Sequence, residues 1–320
     1  DGDDPFMPTL VDMHQLSQLL RKKRFQHGSV DFQVPDSEIH MDSAGHVKRI
    51  SISEHNSAHE LIEEFMLAAN QFVALNLHER SIPSIHRIHE APDPVRLNGF
   101  NESVDSFNLH LPSPVRSTDL QTLVQQVKGR PEERVVNTLL LRTMKKARYS
   151  ETDPGHFCLG FPHYAHFTSP IRRYPDLILH RLIKKYMKRK CPQKEKKTLL
   201  SKLAKVSEQS THMEIKAMSI EREVTDLRRA QFMADKIGKT FHGIITGVTG
   251  FGFFVELQEV FVEGLVKISS ISDDYYLFIE TEHRLIGQRR HRSFQIGDKV
   301  NVRVSAVDLG QKRIDLVVLS

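Results

Sequence analysis

His166-Phe167-Thr168-Ser169-Pro170-Ile171-Arg172-Arg173-Tyr174-Pro175-Asp176-Leu177-Ile178-Leu179-His180-Arg181 is the most informative stretch of the chain. Ser169 followed by Pro170 reads as a helix start, with Ser at the cap and Pro at the first helical position, where a missing N–H costs nothing. The helix is expected to run from Pro170 to Lys190. Its first turn would offer free N–H groups and the positive end of the dipole. Arg172 in that turn would add a forked guanidinium, and together these suit a phosphate. A plainer reading makes Arg173 with Asp176, and His180 beside Arg181, ordinary helix-surface pairs.

C-terminal to this stretch the pattern breaks near Cys191-Pro192, and a longer helical segment, about 195–236, leads to Gly238. Between Arg181 and Lys205 stand eleven Lys/Arg against one Glu, Glu195. Such a run is either a solvated face or a phosphate-contacting surface. After Gly238 the texture changes to short alternating runs rich in Val, Ile, Phe and Gly, at 241–248, 251–257, 261–268, 299–308 and 313–319. Five such strands with turn signals suggest a small barrel of the OB type. The domains are therefore drawn at 1–237 and 238–320. Of Phe251, Phe253 and Phe254 at least one must be core, because alternation sends neighbours to opposite faces.

On the N-terminal side, Leu10, Val11, Leu16, Leu19 and Leu20 recur at helical spacing up to Gly28. Strands are expected at Val30–Val34 and across Ile39–Ile52, with Ser43-Ala44-Gly45 as the turn. Ser57-Ala58-His59-Glu60 reads as a capping box opening an amphipathic helix. Its core stripe is expected to be Leu61, Ile62, Phe65, Met66, Ala69, Phe72 and Val73. Further helices are expected near 117–129 and 131–147, punctuated by Pro112, Pro114 and Pro131.

Composition bounds the rest. The 320 residues suffice for two compact domains, and 39% hydrophobic with 27% charged describes a folded chain rather than a disordered one. No apolar run reaches transmembrane length, and the acidic start does not read as a signal peptide. Only two cysteines, Cys158 and Cys191, argue against a disulfide framework or a Cys-rich zinc site and fit a reducing cytoplasm. The net charge of +5 barely favours nucleic acid over other partners. Eighteen histidines occur without HxH or HExxH spacing, so no metal site is expected among them.

The stretch 166–181 resembles the signature near the end of the catalytic domain in the ribonuclease II/ribonuclease R (RNB) family of exoribonucleases. Leu61-Ile62-Glu63-Glu64-Phe65-Met66-Leu67-Ala68-Ala69-Asn70, Gly155-His156-Phe157-Cys158-Leu159-Gly160 and Glu221-Arg222-Glu223-Val224 match the same family in the same order. Gly247–Val255 and Glu263–Ile268 resemble the ribosomal S-one type of RNA-binding domain, and the Asp273-Asp274-Tyr275-Tyr276 insertion is closer to the ribonuclease R branch. The resemblance implies an α+β fold, a partial catalytic domain of mixed α/β type followed by an all-β OB barrel.

The resemblance also implies a function: processive 3′→5′ hydrolysis of single-stranded RNA to nucleoside 5′-monophosphates, driven by Mg²⁺ ions and carried out by a cytoplasmic monomer. The family's aspartate cluster for those ions and its cold-shock barrels are not found in this chain. The expectation is therefore the C-terminal part of such an enzyme, inactive by itself. Asp1, Asp3 and Asp4 are not read as the missing cluster, since chain termini preorganise a metal site poorly. Arg172 matches the family's catalytic arginine and Glu221 an acidic residue lining the active site. Phe32 matches an aromatic that clamps stacked bases; Arg173, Tyr174 and His166 lie within the signature and are expected at the RNA. In the barrel, Phe251 and Phe254 are the stacking candidates and Arg303 a phosphate contact. Lys267 stands where many S-one domains carry His, trading a stacking ring for a charge. The alternative is a catalytically silent RNA-binding module, in which residues 1–236 are scaffold and the barrel binds single strands.

Overall fold

A computed structural model describes residues 5–30, 32, 37–53, 55–130, 132–280 and 284–319. Asp1, Asp3 and Asp4 lie outside the described residues, as do 31, 33 and 34 of the expected first strand. Val30 belongs to no strand, and its N–H donates to the Cys158 carbonyl at 2.8 Å.

Helix α1, Met7–Gln26, forms where the leucine spacing predicts it, but Leu10, Val11, Leu16 and Leu19 are exposed. Its buried residues are Ser17 and Arg24. The Arg24 guanidinium pairs with the buried Glu64 carboxylate and donates to Ser29 Oγ at 2.7 Å. This helix is thus held by a buried ion pair rather than by an apolar stripe. The hairpin β1 (Ser37–Met41) and β2 (Val47–Ile52) follows. Asp42 Oδ1 accepts from the N–H groups of Ala44 and His46, both at 2.9 Å, and closes the turn at the expected place.

Helix α2, Ser57–Glu79, starts one residue from where the sequence places its cap. Asn56 is the cap, with its Oδ1 accepting from the N–H groups of Ala58 and His59 at 3.1 Å, and His59 closes the box in return. Its buried face is Leu61, Glu64, Leu67, Asn70, Ala74 and Leu77, while Ile62 and Phe72 face solvent. The expected apolar stripe is therefore rotated. Glu64 and Asn70 are polar yet inward, because each has a partner there.

Strand β3 (His86–Ile88) pairs with β4 (Arg148–Ser150), and between them lie α3 (Pro94–Val104), α4 (Ser117–Val127) and α5 (Glu133–Thr143). Helix α3 had no counterpart in the sequence reading. These three helices share a core that includes Leu97, Phe100, Leu120, Leu123, Val136 and Leu140.

Helix α6 is Tyr174–Tyr186, not a helix from Pro170. Ser169–Arg173 is a turn, in which the Ser169 carbonyl accepts from the N–H groups of Arg172 (3.3 Å) and Arg173 (3.0 Å). The proline of the first turn is Pro175. Helix α7, Gln193–Ala234, runs for 42 residues, about 63 Å of rise. Its buried residues are Leu203, Ser207, Ala230 and Met233; between them one side meets β4, where Thr211 Oγ1 accepts from Tyr149 N–H at 3.0 Å, and residues 215–224 are exposed.

The five expected strands close into a barrel in the order β11-β12-β7-β6-β5: β5 Thr240–Thr249, β6 Gly252–Leu257, β7 Val262–Lys267, β11 Lys299–Asp308 and β12 Arg313–Val318. Inward residues such as Ile245, Phe253, Val255, Val266 and Val302 are fully buried. Gly252 is required at its turn, because a Cβ there would meet the Val266 carbonyl oxygen at 2.1 Å. The segment between β7 and β11 carries β8 (Tyr276–Ile279), β9 (Arg284–Gly287) and β10 (Ser293–Gln295), a small sheet in the order β10-β9-β8. Ile50 of β2 and Met233 of α7 join the barrel's core. No helix among the described residues is long and apolar enough to cross a membrane.

Candidate functional site

The turn 169–173 is built around one buried carboxylate. Asp176 is fully inaccessible, and its Oδ1 accepts from Ser169 N–H (2.8 Å) and from Arg173 Nε and Nη2 (3.2 and 2.8 Å). The start of α6 is thus filled by the chain's own anion, which corrects the expectation of an open phosphate site at the helix N-terminus. Asn70 of α2 holds the preceding residues. Its Oδ1 accepts from the N–H groups of Phe167 (2.8 Å) and Thr168 (3.2 Å), and its Nδ2 donates to Tyr164 OH at 3.1 Å. Two stretches far apart in sequence, 61–70 and 166–176, are therefore one structural unit.

His166 belongs to the support of this turn. Its Nδ1 accepts from Tyr149 OH at 2.9 Å. Burial, with the Arg173 charge beside it, pushes the His166 pKa down to about 2, so the ring is neutral. Burial pushes the Tyr149 hydroxyl up to about 12, which keeps it a donor.

Arg172, one residue from the consumed guanidinium of Arg173, is exposed and has no ion pair or side-chain hydrogen bond among the described residues. It lines an open cleft of about 840 Å³ between the turn and the bare middle of α7, together with Arg173, Tyr174, Met213, Met218 and Glu221. Tyr174 is half exposed, and Met213 and Met218 more than half. Glu214 also lines this cleft, but its carboxylate is taken by Arg87 at 2.6 Å. The structure thus gathers Arg172, Arg173, Tyr174 and Glu221 in one place.

Phe32 lies elsewhere, in a second cleft of about 790 Å³ shared with His89, Arg96, Arg142, Lys145, Lys146 and Cys158. Its ring packs against the α3–α5 core. Arg96, Arg142 and Lys146 have no ion pair among the described residues. The sequence reading missed these cations; the run Arg142-Thr143-Met144-Lys145-Lys146 was the trace of Arg142 and Lys146, and Arg96 left none. A Cβ at Gly247 of β5 would stand 3.5 Å from Arg142 Nη2, so this cleft borders the barrel.

On the barrel, Phe251 is exposed and meets Phe254 edge-on at 6.2 Å, whereas Phe253 is the core member, stacked on Phe294 at 4.7 Å. Phe251 and Phe254 line a groove of about 410 Å³ with Arg229 of α7, Lys312 and Arg313. Lys267 is tied to Asp315 at 2.8 Å. Arg303 is exposed but remote from this groove. It pairs with Thr240 on β5, while Phe254 pairs with Gly247, which puts them on the order of 20 Å apart along the strand.

Comparison with known proteins agrees with this geometry. The RNB domain matches residues 3–189, and the S1 RNA binding domain matches residues 234–318. Ribonuclease R of Aquifex aeolicus (strain VF5) is 42% identical over 314 residues, 96% of this chain and 44% of that protein. Ribonuclease R of Escherichia coli (strain K12) is 35% identical over 325 residues, 99% of this chain and 40% of that protein. The chain spans less than half the length of these two relatives. Mycoplasma genitalium RNase R in complex with ribose methylated single-stranded RNA superposes with a TM-score of 0.90 at 32% identity, over 98% of this chain and 50% of that one. The chain belongs to the RNB family, with an S1 RNA binding domain after the RNB domain.

Proposed function

We propose that this chain is part of a 3′→5′ exoribonuclease that hydrolyses single-stranded RNA to nucleoside 5′-monophosphates, with residues 1–237 as part of the catalytic domain and 238–320 as the RNA-holding barrel. The protein works as a cytoplasmic monomer in RNA turnover. The observation that carries this reading is Arg172. Its guanidinium is uncommitted at the edge of an open cleft, while its neighbour Arg173 is locked onto Asp176.

Five N–H donors in a planar fork suit the oxygens of a scissile phosphate, and they stabilise charge that develops there. Tyr174 offers a ring for a terminal base or ribose, Glu221 offers acceptor oxygens from the α7 wall, and Met213 with Met218 gives that wall an adaptable apolar lining. The Phe32 cleft supplies an aromatic flanked by cations, which holds a strand without reading its sequence. Phe251 and Phe254 do the same on the barrel, beside Arg229 and Arg313.

Mg²⁺, which the family resemblance implies, does not fit the residues of this cleft. Asp176 is spent on Arg173 and Glu214 on Arg87, which leaves Glu221 without the convergent carboxylates that a pair of hard cations needs. The metal-dependent step is therefore not assigned to any of the described residues. That same gap favours the second reading, an RNA-binding module without chemistry of its own. Incubation with 5′-labelled single-stranded RNA, with and without Mg²⁺, separates the two. Stepwise Mg²⁺-dependent shortening from the 3′ end, with nucleoside 5′-monophosphates released, supports the nuclease. A gel shift with no shortening makes the chain a binding module.

A further inference from the structure

Among residues that line neither the Arg172 cleft nor the Phe32 cleft, three imidazoles surround one carboxylate. Asp153 Oδ2 lies 2.6 Å from His163 Nδ1, 3.4 Å from His86 Nδ1 and 3.9 Å from His78 Nδ1. Ligating atoms of His78, Asp153 and His163 all fall within 4.8 Å of one another. Four ligands about 2.0–2.1 Å from a tetrahedral ion lie roughly 3.3 Å apart; the three grouped atoms are near that spacing, and closing around an ion requires the stacked His78 and His163 rings to turn and His86 to move in as the fourth ligand.

Independent observations point to a cation here. His86 is more than nine-tenths buried, and its Nδ1, aimed at Asp153, has no hydrogen-bond partner. Asp153 Oδ1 is also buried and unpartnered. Buried polar atoms left unpaired cost free energy, and an ion held by Asp153 would give the buried His86 Nδ1, 3.4 Å from Oδ2, the partner it lacks.

We propose that His78, His86, Asp153 and His163 form a site for a zinc-class divalent transition metal. Imidazole nitrogens with one carboxylate suit such an ion and not Mg²⁺, which prefers an all-oxygen shell. His78 comes from the C-terminal end of α2, His86 from β3, and Asp153 and His163 from the segment that leads into the turn carrying Arg172. The ion would clamp that segment onto α2 and β3, as a structural metal does. Binding at His163 Nδ1 moves that ring's proton to Nε2, since the hydrogen bond to Asp153 is given up to the metal. Ser84 Oγ, 3.0 Å from His86 Nε2, sets the orientation of the other buried ring.

The test is Zn²⁺ titration of metal-stripped protein against a chromophoric chelator, with Co²⁺ substitution as the spectroscopic readout. The expected result is one tight ion per chain and an intense visible Co²⁺ spectrum of tetrahedral type. His163→Ala and Asp153→Asn should each weaken binding by tenfold or more. His78→Gln, at an exposed helix position, should also weaken it without unfolding the chain. His55→Gln, a surface histidine outside the cluster, should change nothing. No saturable binding, or binding that His163→Ala, Asp153→Asn and His78→Gln leave intact, overturns the proposal.

Discussion

The barrel and the middle of α7 use the same kinds of side chain in opposite ways. In the barrel, Ile245, Phe253, Val255 and Val266 point inward and are sealed from solvent. Along α7, Met213, Ile215, Met218, Ile220 and Val224 are all more than half exposed, with Glu221 among them. Apolar residues that hold the barrel closed are, on the helix, surface beside the cleft. Strand periodicity therefore locates the core of one region, and departure from burial locates the candidate site of the other.

The most direct way to break this contrast is to remove comparable side chains from both regions. Phe253→Ala should cost about 3–5 kcal/mol of stability, as deletion of a buried aromatic does. Met218→Ala should stay within about 0.5 kcal/mol, as a surface change does. Urea denaturation midpoints decide it; equal losses would mean that α7 carries a hidden core. Asp176→Ala should cost about 3–5 kcal/mol, because it strands the Arg173 charge and the Ser169 N–H. A thermal shift near zero would show that the turn 169–173 is not built on that carboxylate.

Phe251→Ala should weaken single-stranded RNA binding by about 1–3 kcal/mol with no change in melting temperature. Fluorescence anisotropy with labelled RNA reads this, and unchanged affinity would remove the exposed phenylalanine from the RNA path. A further prediction concerns pH, and its size between pH 7.5 and 5.0, about 4 kcal/mol for two rings together, is on the scale of the core substitutions. Burial holds His156 at about 3 and His166 at about 2, both below the ordinary 6.5. The unfolded chain binds more protons than the fold across that window. Stability is thus complete above about pH 6.5 and declines as pH falls, by up to about 1.4 kcal/mol per unit for each ring. Denaturation midpoints at pH 7.5 and 5.0 check it; a flat profile would mean the rings are charged in the fold.

How much was legible in the sequence follows the same division. All five barrel strands fall within a residue or two of their expected bounds, because a half-buried strand writes its alternation into the chain. Strands β8–β10 left no trace, being three or four residues long. The start of α6 was misplaced because Ser169-Pro170 and Pro175 are competing start signals, and a buried contact of Asp176 decides between them. The stripe of α2 was rotated because Glu64 and Asn70 are inward for their partners Arg24 and the 167–168 backbone, which hydrophobicity cannot show. Arg172, Arg173, Tyr174 and Glu221 came together as the sequence suggested, whereas Phe32 occupies another cleft and Arg303 stands away from the barrel groove. The histidine cluster was invisible, since residues 78, 86, 153 and 163 come from separate segments that only the fold brings together.

We propose that Arg172, and not Arg173 locked onto Asp176, meets the scissile phosphate. The direct measurement is Arg172→Ala in the full-length protein, assayed with 5′-labelled single-stranded RNA for both product ladder and gel shift. Cleavage should fall by about a hundred- to a thousandfold while RNA affinity stays nearly unchanged. Parallel loss of cleavage and affinity would contradict the account and reduce Arg172 to a docking contact.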